Sequence, residues 1–499
     1  MAASKQNLLS RIPAVEILLQ EAESQGWTAG IPRRVLVDSV RVAVDQARER
    51  LLESAAVRKG DSPHLPERPE GYLAQMGTVP FSDGTELETL RTAVLADARQ
   101  RALSAVGPHY RKVINATGII LHTALGRAPL AANVLRQIAT ELSGYSLLQA
   151  GIASGERSKR DGRIENLLQQ LTGAEAATVV NNNAAATAIV LNTVACGREV
   201  IVSRGQLVEI GGSFRLPDVM AASGVKLVEV GTTNKTHARD YEKAITPNTA
   251  ALLRVHPSNY KISGFTAEVP LPELVQIGHA HGLAVIDDVG AGPLVDFSQF
   301  GFEKEPTLHE SVQAGADLTT SSADKLIGAS QGGIILGRGD LVQAIRKNPL
   351  ARILRVGKLT LAALEATLSL FLDEARALRE VPTLRMLRRD LADIADQANR
   401  IAAAIGERTS AAVATTTDGF SQMGSGSLPT QNLTTKLVAI RSNSIEAGEL
   451  AARLRAGTPP VFARVHKGDL LLDPRTLLDG EEDPLIRAVV EALAQVKNR

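Results

Sequence analysis

The sequence predicts an α/β fold: a mainly parallel sheet with helices on both faces, a helical N-terminal domain and a small α/β C-terminal lobe. Three observations carry this reading. Between about 165 and 340, short β-rich runs alternate with helical stretches, the pattern of a parallel sheet covered on both sides. Aromatic residues make up only 3% of the chain while glycine occurs 41 times, a bias that suits close helix-on-sheet packing better than a β-sandwich. The length of 499 residues corresponds to roughly three domains and can bury a large core without a metal or disulfide staple.

Composition removes several function classes. Lys and Arg number 55 against 54 Asp and Glu, a net charge of +1, so the chain does not hold nucleic acid through a global basic field. Cys196 is the only cysteine, which excludes an intrachain disulfide and a cysteine-rich metal site. No run of about 18 apolar residues predicts a membrane span. The first residues are broken by Lys5, Arg11 and Glu16 and do not read as a secretory signal, so a cytoplasmic location is expected.

Taken in order, residues 1–60 read as helical, with Leu36, Val40, Ala43, Ala47 and Leu51 at helical spacing. Arg34, Arg41 and Arg48 form a second stripe on that helix. On its own it reads as a solvated face with Arg34/Asp38 and Arg41/Asp45 pairs, and the net charge of residues 1–60 is only +2 (nine basic, seven acidic). Residues 60–82 are rich in Pro and Gly and read as a linker, followed by a helix from about 87 to 106. Strands are predicted at TVVNN, 199–204, 226–231, 251–256, 283–288, 317–325 and 332–337. Residues 341–405 read as helical, and 405–499 mix strands with helices. The predicted domains are 1–60, a connection over 61–112, a catalytic domain over 113–385 and a small domain over 386–499.

Ligands of such sheets bind at the carboxyl ends of the strands. Lys325, in SSADKLIGASQGGIILG (321–337), follows one strand and precedes a glycine-rich turn. A lysine amine in a partly desolvated pocket can form a Schiff base with an aldehyde cofactor, although an isolated lysine after a strand is more often a surface residue. Two further parts of a pyridoxal phosphate site are present. LAVIDDVGAG (283–292) ends a strand with two carboxylates, and Asp288, which precedes small residues, is chosen over Asp287 as partner of the cofactor nitrogen. VVNNNAAATAIVLN (179–192) ends a strand and opens a helix, where Asn182, Asn183 and Ala184 are placed to bind phosphate. Each part alone has a structural explanation; together they favour pyridoxal 5'-phosphate as cofactor. The pair His279 and His281 lies at a helix end, where histidines suit the dipole, and no metal site is expected.

INATGIILHTALGRAPL (114–130), GERSKRDGRIEN (155–166), VNNNAAA (180–186), SRGQLVEIGGSFRLPDVM (203–220), RVHPSNYKISGFT (254–266), DDVGAG (287–292), SADKLIG (322–328) and NPLARILRVGKLTLAALEATL (348–368) resemble bacterial selenocysteine synthase, the L-seryl-tRNA(Sec) selenium transferase family. The resemblance runs through nearly the whole chain. It implies a fold-type-I pyridoxal-phosphate transferase that converts seryl-tRNA(Sec) to selenocysteinyl-tRNA(Sec) with selenophosphate, by dehydration to aminoacrylyl-tRNA and selenium addition. It implies that Lys325 carries the cofactor, with Ser322 of the same run beside it, and that Asp324, Arg127, Arg160, Arg352 and Arg355 belong to the active site. Arginine forks suit a phosphate-like donor. Arg352 and Arg355, three apart, would share a face if their stretch is helical.

The resemblance also implies that the N-terminal domain grips the tRNA and that the protein is a homo-oligomer, a ring of dimers expected to be a decamer. Several copies could then present separate basic faces, which gives weight to the Arg34/Arg41/Arg48 stripe. Departures from the family pattern are Ala124 in HTALGR, Ala329 and Ser330 in GASQGG, and DVGAG for the commoner DLGSG. None removes a charge. Two alternatives stand beside this reading: a related lyase acting on a small amino-sugar acid phosphate, against which residues 1–60 argue, and a silent tRNA-binding scaffold, against which Lys325, Asp324 and Asp288 argue.

Overall fold

The computed structural model describes residues 13–57, 85–211 and 214–494. The linker expected over 60–82, the first twelve residues and the side chain of Leu51 lie outside that description. The chain divides into two compact units, Met1–Lys112 and Val113–Arg499.

The first unit is built from α1 (Val15–Ser24), α2 (Arg33–Val57) and α3 (Thr85–Val106). Leu18, Leu36, Val40, Val44, Val94 and Leu95 form its core, with Ala22, Ala43, Ala98 and Ala102 letting the helices approach closely. Two features differ from the sequence reading. The helical stretch expected over 1–60 is interrupted between α1 and α2, where Gly26 and Gly30 take φ of 73° and 79° and Pro32 follows. α3, expected as part of a connection, packs in this core and so belongs to the first unit. On the arginine stripe, Arg34 pairs with Asp38 at 4.0 Å, but Asp45 pairs with Arg48 at 3.0 Å rather than with Arg41.

The second unit is organised by a seven-stranded sheet. Its strands are β1 (Ala176–Val180), β2 (Glu199–Ser203), β3 (Lys226–Val230), β4 (Thr249–Val255), β5 (Ala284–Gly290), β6 (Leu318–Ser322) and β7 (Gly333–Gly337). They lie in the order β1-β7-β6-β5-β4-β2-β3. β7 runs antiparallel to both neighbours and all other pairs are parallel. The carboxyl ends of six strands therefore meet at one edge. Gly333 is in register with Val180 on one side and Ser322 on the other, so the segments leaving β1 and β6 emerge side by side. Near-continuous apolar strands such as Ala250–Leu253 fit a sheet buried on both faces.

The helix α4 (Asn183–Ala195) follows β1 and packs Ala186, Ile189 and Val190 onto one face of the sheet. A Cβ on Gly333 would sit 2.0 Å from the carbonyl oxygen of Asn182, so only glycine lets β7 pass beneath the start of α4. A Gly333→Ala substitution is expected to lower the melting temperature by several degrees and loosen the cofactor, checked by calorimetry and cofactor titration.

The C-terminal lobe is larger in β-structure than the sequence reading allows. Only 436–442 and 460–466 are read there as strands, whereas a long hairpin, Ala412–Gly424 with Ser427–Ser442, dominates it. The strand 412–424 alternates exposed with more buried positions, but its inward residues include Ala414, Thr416, Gly419 and Ser421 while Val413 and Phe420 face outward, so it carries no apolar alternation to read. The lobe also recruits a distant segment. Ile114–Asn115 pairs in parallel with Val461–Phe462, and the Thr476 hydroxyl donates to the Asn115 carbonyl while accepting from the Gly118 N–H. Residues 114–116, expected in the catalytic domain, thus complete the C-terminal core. No helix among the described residues is long and apolar enough to cross a membrane.

Candidate active site

β6 ends at Ser322, three residues before Lys325 and earlier than the sequence reading placed it, and a tight turn follows. The Ala323 N–H donates to the Gly332 carbonyl, Ala329 N–H closes back on Ala323, and Gly328, at φ 75°, donates to the Lys325 carbonyl. This fixes Lys325 at the carboxyl edge of the sheet. It is 6% exposed. Burial, and then the Arg127 guanidinium, hold its amine below the ordinary lysine value, while Asp324 and Asp288 act in the opposite direction. Ser322, also buried, is the last residue of β6.

Asp324 is 8% exposed and accepts from Arg127 Nη1 at 2.6 Å. Arg127 stands at φ 62°, directly after Gly126 at φ 91°. A non-glycine residue held there costs of order 1–3 kcal/mol and persists because its surroundings fix it. The Arg127 N–H donates to the His122 carbonyl, and Ser425 of the C-terminal hairpin donates to the Leu121 carbonyl. Ala124 sits exposed in the short turn Thr123–Leu125, and the bond from Arg127 to Asp324 forms without an asparagine there.

Asp287 and Asp288 point to opposite faces of β5, as successive strand residues must. Asp287 is matched already, by Arg254 Nη1 at 2.9 Å and the Ser311 hydroxyl at 2.7 Å. Asp288 accepts from Asn183 Nδ2 at 2.9 Å, Thr187 Oγ1 at 2.9 Å and the Gly290 N–H at 3.1 Å. All three are neutral donors. Burial pushes its carboxyl above the ordinary value, against those hydrogen bonds. A buried carboxylate with no cationic partner in contact is what a protonated ring nitrogen would match.

The Asn182 side chain caps α4 by accepting from the Ala185 N–H at 2.9 Å. The first main-chain bond of the helix runs from Ala186 to Asn182, which leaves the N–H groups of Asn183 and Ala184 ahead of it for an anion. Beside this N-terminus the segment of Arg352 and Arg355 docks. Asn181 N–H donates to the Leu354 carbonyl at 3.0 Å, and Arg355 bridges Val180. The two arginines do not share a helix, because the helical turn closes at Ile353 and Arg355 lies in the bridge that follows. Arg160 reaches the same segment, donating to the Val356 carbonyl at 3.0 Å, and the positive charges of Arg160 first, then of Arg352 and Arg157, hold the Arg355 guanidinium below its ordinary value. Arg160 is anchored on the Val356 carbonyl and on Gln149, yet its buried Nε has no acceptor.

Arg157 is the member of this cluster that sequence reasoning passed over. It lies in the quoted GERSKRDGR run, three residues before Arg160, and that spacing was the available signal. Thr187 was missed as well, although it stands one helical turn after Asn183 on α4. His279 bonds Asp317 at 3.0 Å, and among the described residues no group of three or more His, Cys, Asp or Glu could hold a metal ion.

A buried lysine in the turn after β6, a carboxylate awaiting a cation and a helix N-terminus open to phosphate, all at one edge of this sheet, define a fold-type-I pyridoxal-phosphate enzyme. The solved structure of D-glucosaminate-6-phosphate ammonia-lyase shares the fold, with a TM-score of 0.54 and 23% identity over 79% of this chain and 99% of that one. The profile described as L-seryl-tRNA selenium transferase matches residues 113–478, and that described as selenocysteine synthase N terminal matches 9–48. L-seryl-tRNA(Sec) selenium transferase of Geobacter sulfurreducens is 45% identical over 97% of this chain and 99% of its own length. That of Alkaliphilus metalliredigens is 42% identical over 99% of both chains. The chain belongs to the L-seryl-tRNA(Sec) selenium transferase family, and its cofactor is pyridoxal phosphate.

Proposed function

We propose that the chain converts seryl-tRNA(Sec) to selenocysteinyl-tRNA(Sec) by removing the seryl hydroxyl as water and adding selenium from selenophosphate at the vacated carbon. The observation that carries this reading is the docking of the arginine segment on the cofactor end of the sheet: Arg355 bridges Val180, the Asn181 N–H holds the Leu354 carbonyl, Arg160 holds the Val356 carbonyl, and Asn183, at the start of α4, reaches Asp288. The amino-sugar lyase reading loses its ground, since the structural likeness to such an enzyme extends to the fold alone and leaves about a fifth of this chain unmatched.

Each residue has a task that follows from its surroundings. Lys325, with its amine biased toward the neutral form, holds the cofactor and afterwards takes the proton from the seryl Cα. Asp288 keeps the ring nitrogen protonated, and the cofactor when bound supplies an electron sink for the bond broken at Cα. Asn182 shapes the start of α4, where Asn183 and Ala184 receive the cofactor phosphate, with Ser322 close to the lysine turn. Asp324 orients Arg127 toward the site. Arg160, Arg352, Arg355 and Arg157 receive the anionic selenium donor and take up the phosphate charge that develops as selenium departs. Arg355→Ala is expected to raise the KM for that donor about 10- to 150-fold, from about 1.5–3 kcal/mol for one charge-assisted hydrogen bond, with cofactor binding unchanged. Steady-state kinetics with the donor varied checks this.

The first unit would hold the tRNA, with Arg34, Arg41 and Arg48 on phosphates. Replacing all three by alanine is expected to weaken tRNA binding and to flatten its dependence on the logarithm of salt concentration by about 2–3 units, read by filter binding across a salt series. The protein would act in the cytoplasm as a ring of dimers, in which repeated basic faces offset the near-neutral charge of each chain. The decisive test of the whole reading supplies the purified protein with seryl-tRNA(Sec) and a selenium donor. Selenium incorporation there, with none on ordinary seryl-tRNA, supports it; equal reaction on free small substrates alone overturns it.

A further inference from the structure

A cleft of about 340 Å³ opens along the sheet edge that carries Lys325, and none of its walls has a task in the scheme above. The segments that leave the carboxyl ends of β2, β3, β4 and β5 form it, with Leu428 and Gln431 of the C-terminal hairpin. One end is marked by Ser258, which is 3% exposed and whose hydroxyl has no partner. A Cβ on Gly290 would stand 3.4 Å from that hydroxyl, so the cleft begins beside the strand of Asp288. The other end is the loop after β3. There Asn234 Nδ2 donates to the Phe265 carbonyl at 2.7 Å, the Ala267 N–H to the Asn234 carbonyl at 2.9 Å and the Thr236 N–H to the Ala267 carbonyl at 2.9 Å. These bonds hold two loops side by side, with Lys235 Nζ 5.9 Å from the centre of the Phe265 ring. Phe265 is 88% exposed. Most charges of the cleft are matched within the protein, Lys261 by Glu303, Lys304 by Glu310 and His256 by Glu305 at 2.7 Å. Among the described residues Lys235 has no carboxylate in contact, and Glu268 has no cation.

We propose that this cleft receives the unpaired 3' end of the aminoacylated tRNA, with a base stacked on Phe265, a phosphate on Lys235 and a ribose hydroxyl on Ser258. The inference rests on the function proposed above, whose substrate carries its seryl group on the terminal ribose. An exposed ring beside a free cation is a platform for single-stranded nucleic acid, since every base has a face to stack and every link a charge. A buried hydroxyl without a partner calls for one, and a ribose hydroxyl can both donate and accept. The bases that end a tRNA, two cytosines and an adenine, each carry an exocyclic amino group, from which the Glu268 carboxylate can accept. Reach along the edge fits as well. In the order β6-β5-β4-β2-β3, the loop of Lys235 lies four strands from that of Lys325, about 19 Å at roughly 4.8 Å per strand. The cleft therefore needs no contact with Lys325. The RNA end runs from Phe265 past Ser258, and the seryl group it carries is delivered to the strand of Asp288 and onward to the lysine.

The test couples a change in the protein to one in the RNA. Binding to the holoenzyme is measured by filter binding for tRNA(Sec) with its unpaired 3' end and for the same tRNA with that end removed. Removal is expected to weaken binding to the wild type about 5- to 150-fold for the stacked base. Phe265→Ala should bind the complete tRNA that much more weakly and lose almost nothing further on removal of the end, whereas Phe265→Trp keeps the wild-type pattern. Lys235→Ala should flatten the dependence of binding on the logarithm of salt concentration by about 0.7 for the complete tRNA and leave it unchanged for the trimmed one. Sedimentation of the variants at the wild-type mass is expected, since the ring is open to solvent. Equal losses on trimming for wild type and Phe265→Ala, wild-type binding by Phe265→Leu, or variants of reduced mass would overturn the assignment and leave the proposed function standing. A wild-type protein that does not bind tRNA(Sec) at all overturns the proposed function, and this assignment with it.

Discussion

Lys325→Ala abolishes turnover, with a loss of at least about 10²–10⁴-fold from its proton transfer alone, and removes the cofactor's absorption band. The same position has a measurable effect on stability. Burial and Arg127 hold the folded-state value of this amine below its ordinary one, whereas in the unfolded chain it titrates near ~10.4. The folded protein therefore binds fewer protons than the unfolded one between those two values. Stability of the cofactor-free protein rises with pH across that window, and the penalty of the buried charge is complete below it. Lys325→Met keeps a side chain of similar length without the charge. It is expected to be the more stable protein near neutral pH and to lose this part of the pH dependence, read from denaturation midpoints of the cofactor-free proteins across the window. A lysine whose replacement inactivates and stabilises at once is held there for chemistry; a fall in stability would mean that the amine is a structural partner of Asp324.

The two adjacent aspartates of β5 should respond in opposite ways. Asp288→Asn keeps the shape but removes the charge facing the cofactor nitrogen. Removing one partner of a buried, hydrogen-bonded charge pair costs about 2–5 kcal/mol, so turnover should drop roughly 30- to 4,000-fold while the protein stays folded. The cofactor's absorption should shift as its ring loses a proton. Asp287→Asn instead leaves Arg254, 12% exposed, without its carboxylate. Breaking a buried pair destabilises by about 3–5 kcal/mol, so the cost appears in denaturation, with the cofactor spectrum unchanged. A spectral change in the Asp287 variant and none in the Asp288 variant would reverse the assignment.

Much of the catalytic unit is legible in the sequence for a simple reason. A sheet buried on both faces demands apolar runs, and ALLRV, AVI and GIIL stand out against their polar flanks. The functional residues then sit just after those runs, which is how Lys325, Asp288 and the Asn182 cap could be located. What stayed illegible depends on pairing through space. The hairpin of the C-terminal lobe has a strand whose inward positions are small or polar and whose Val413 and Phe420 face outward, so its burial leaves no apolar period to detect. The break between α1 and α2 is set by two left-handed glycines that interrupt an otherwise helical pattern. Arg352 and Arg355 have helical spacing, but the bridge from Arg355 to Val180 ends the helix between them. His256 and Glu305 lie 49 residues apart and meet only because the segment after β5 folds back over the end of β4.

The pairing of Ile114–Asn115 with Val461–Phe462 has a consequence for biosynthesis. At roughly 5–20 residues per second, the ribosome needs on the order of 20–70 s to make the second strand after the first has emerged. Through that interval Ile114 and Ala116 have no partner, and the loop leading to Arg127 lacks its anchor at Thr476. A chain released early would therefore be caught with a finished sheet but a misplaced arginine, a sticky and inactive product for quality control to clear.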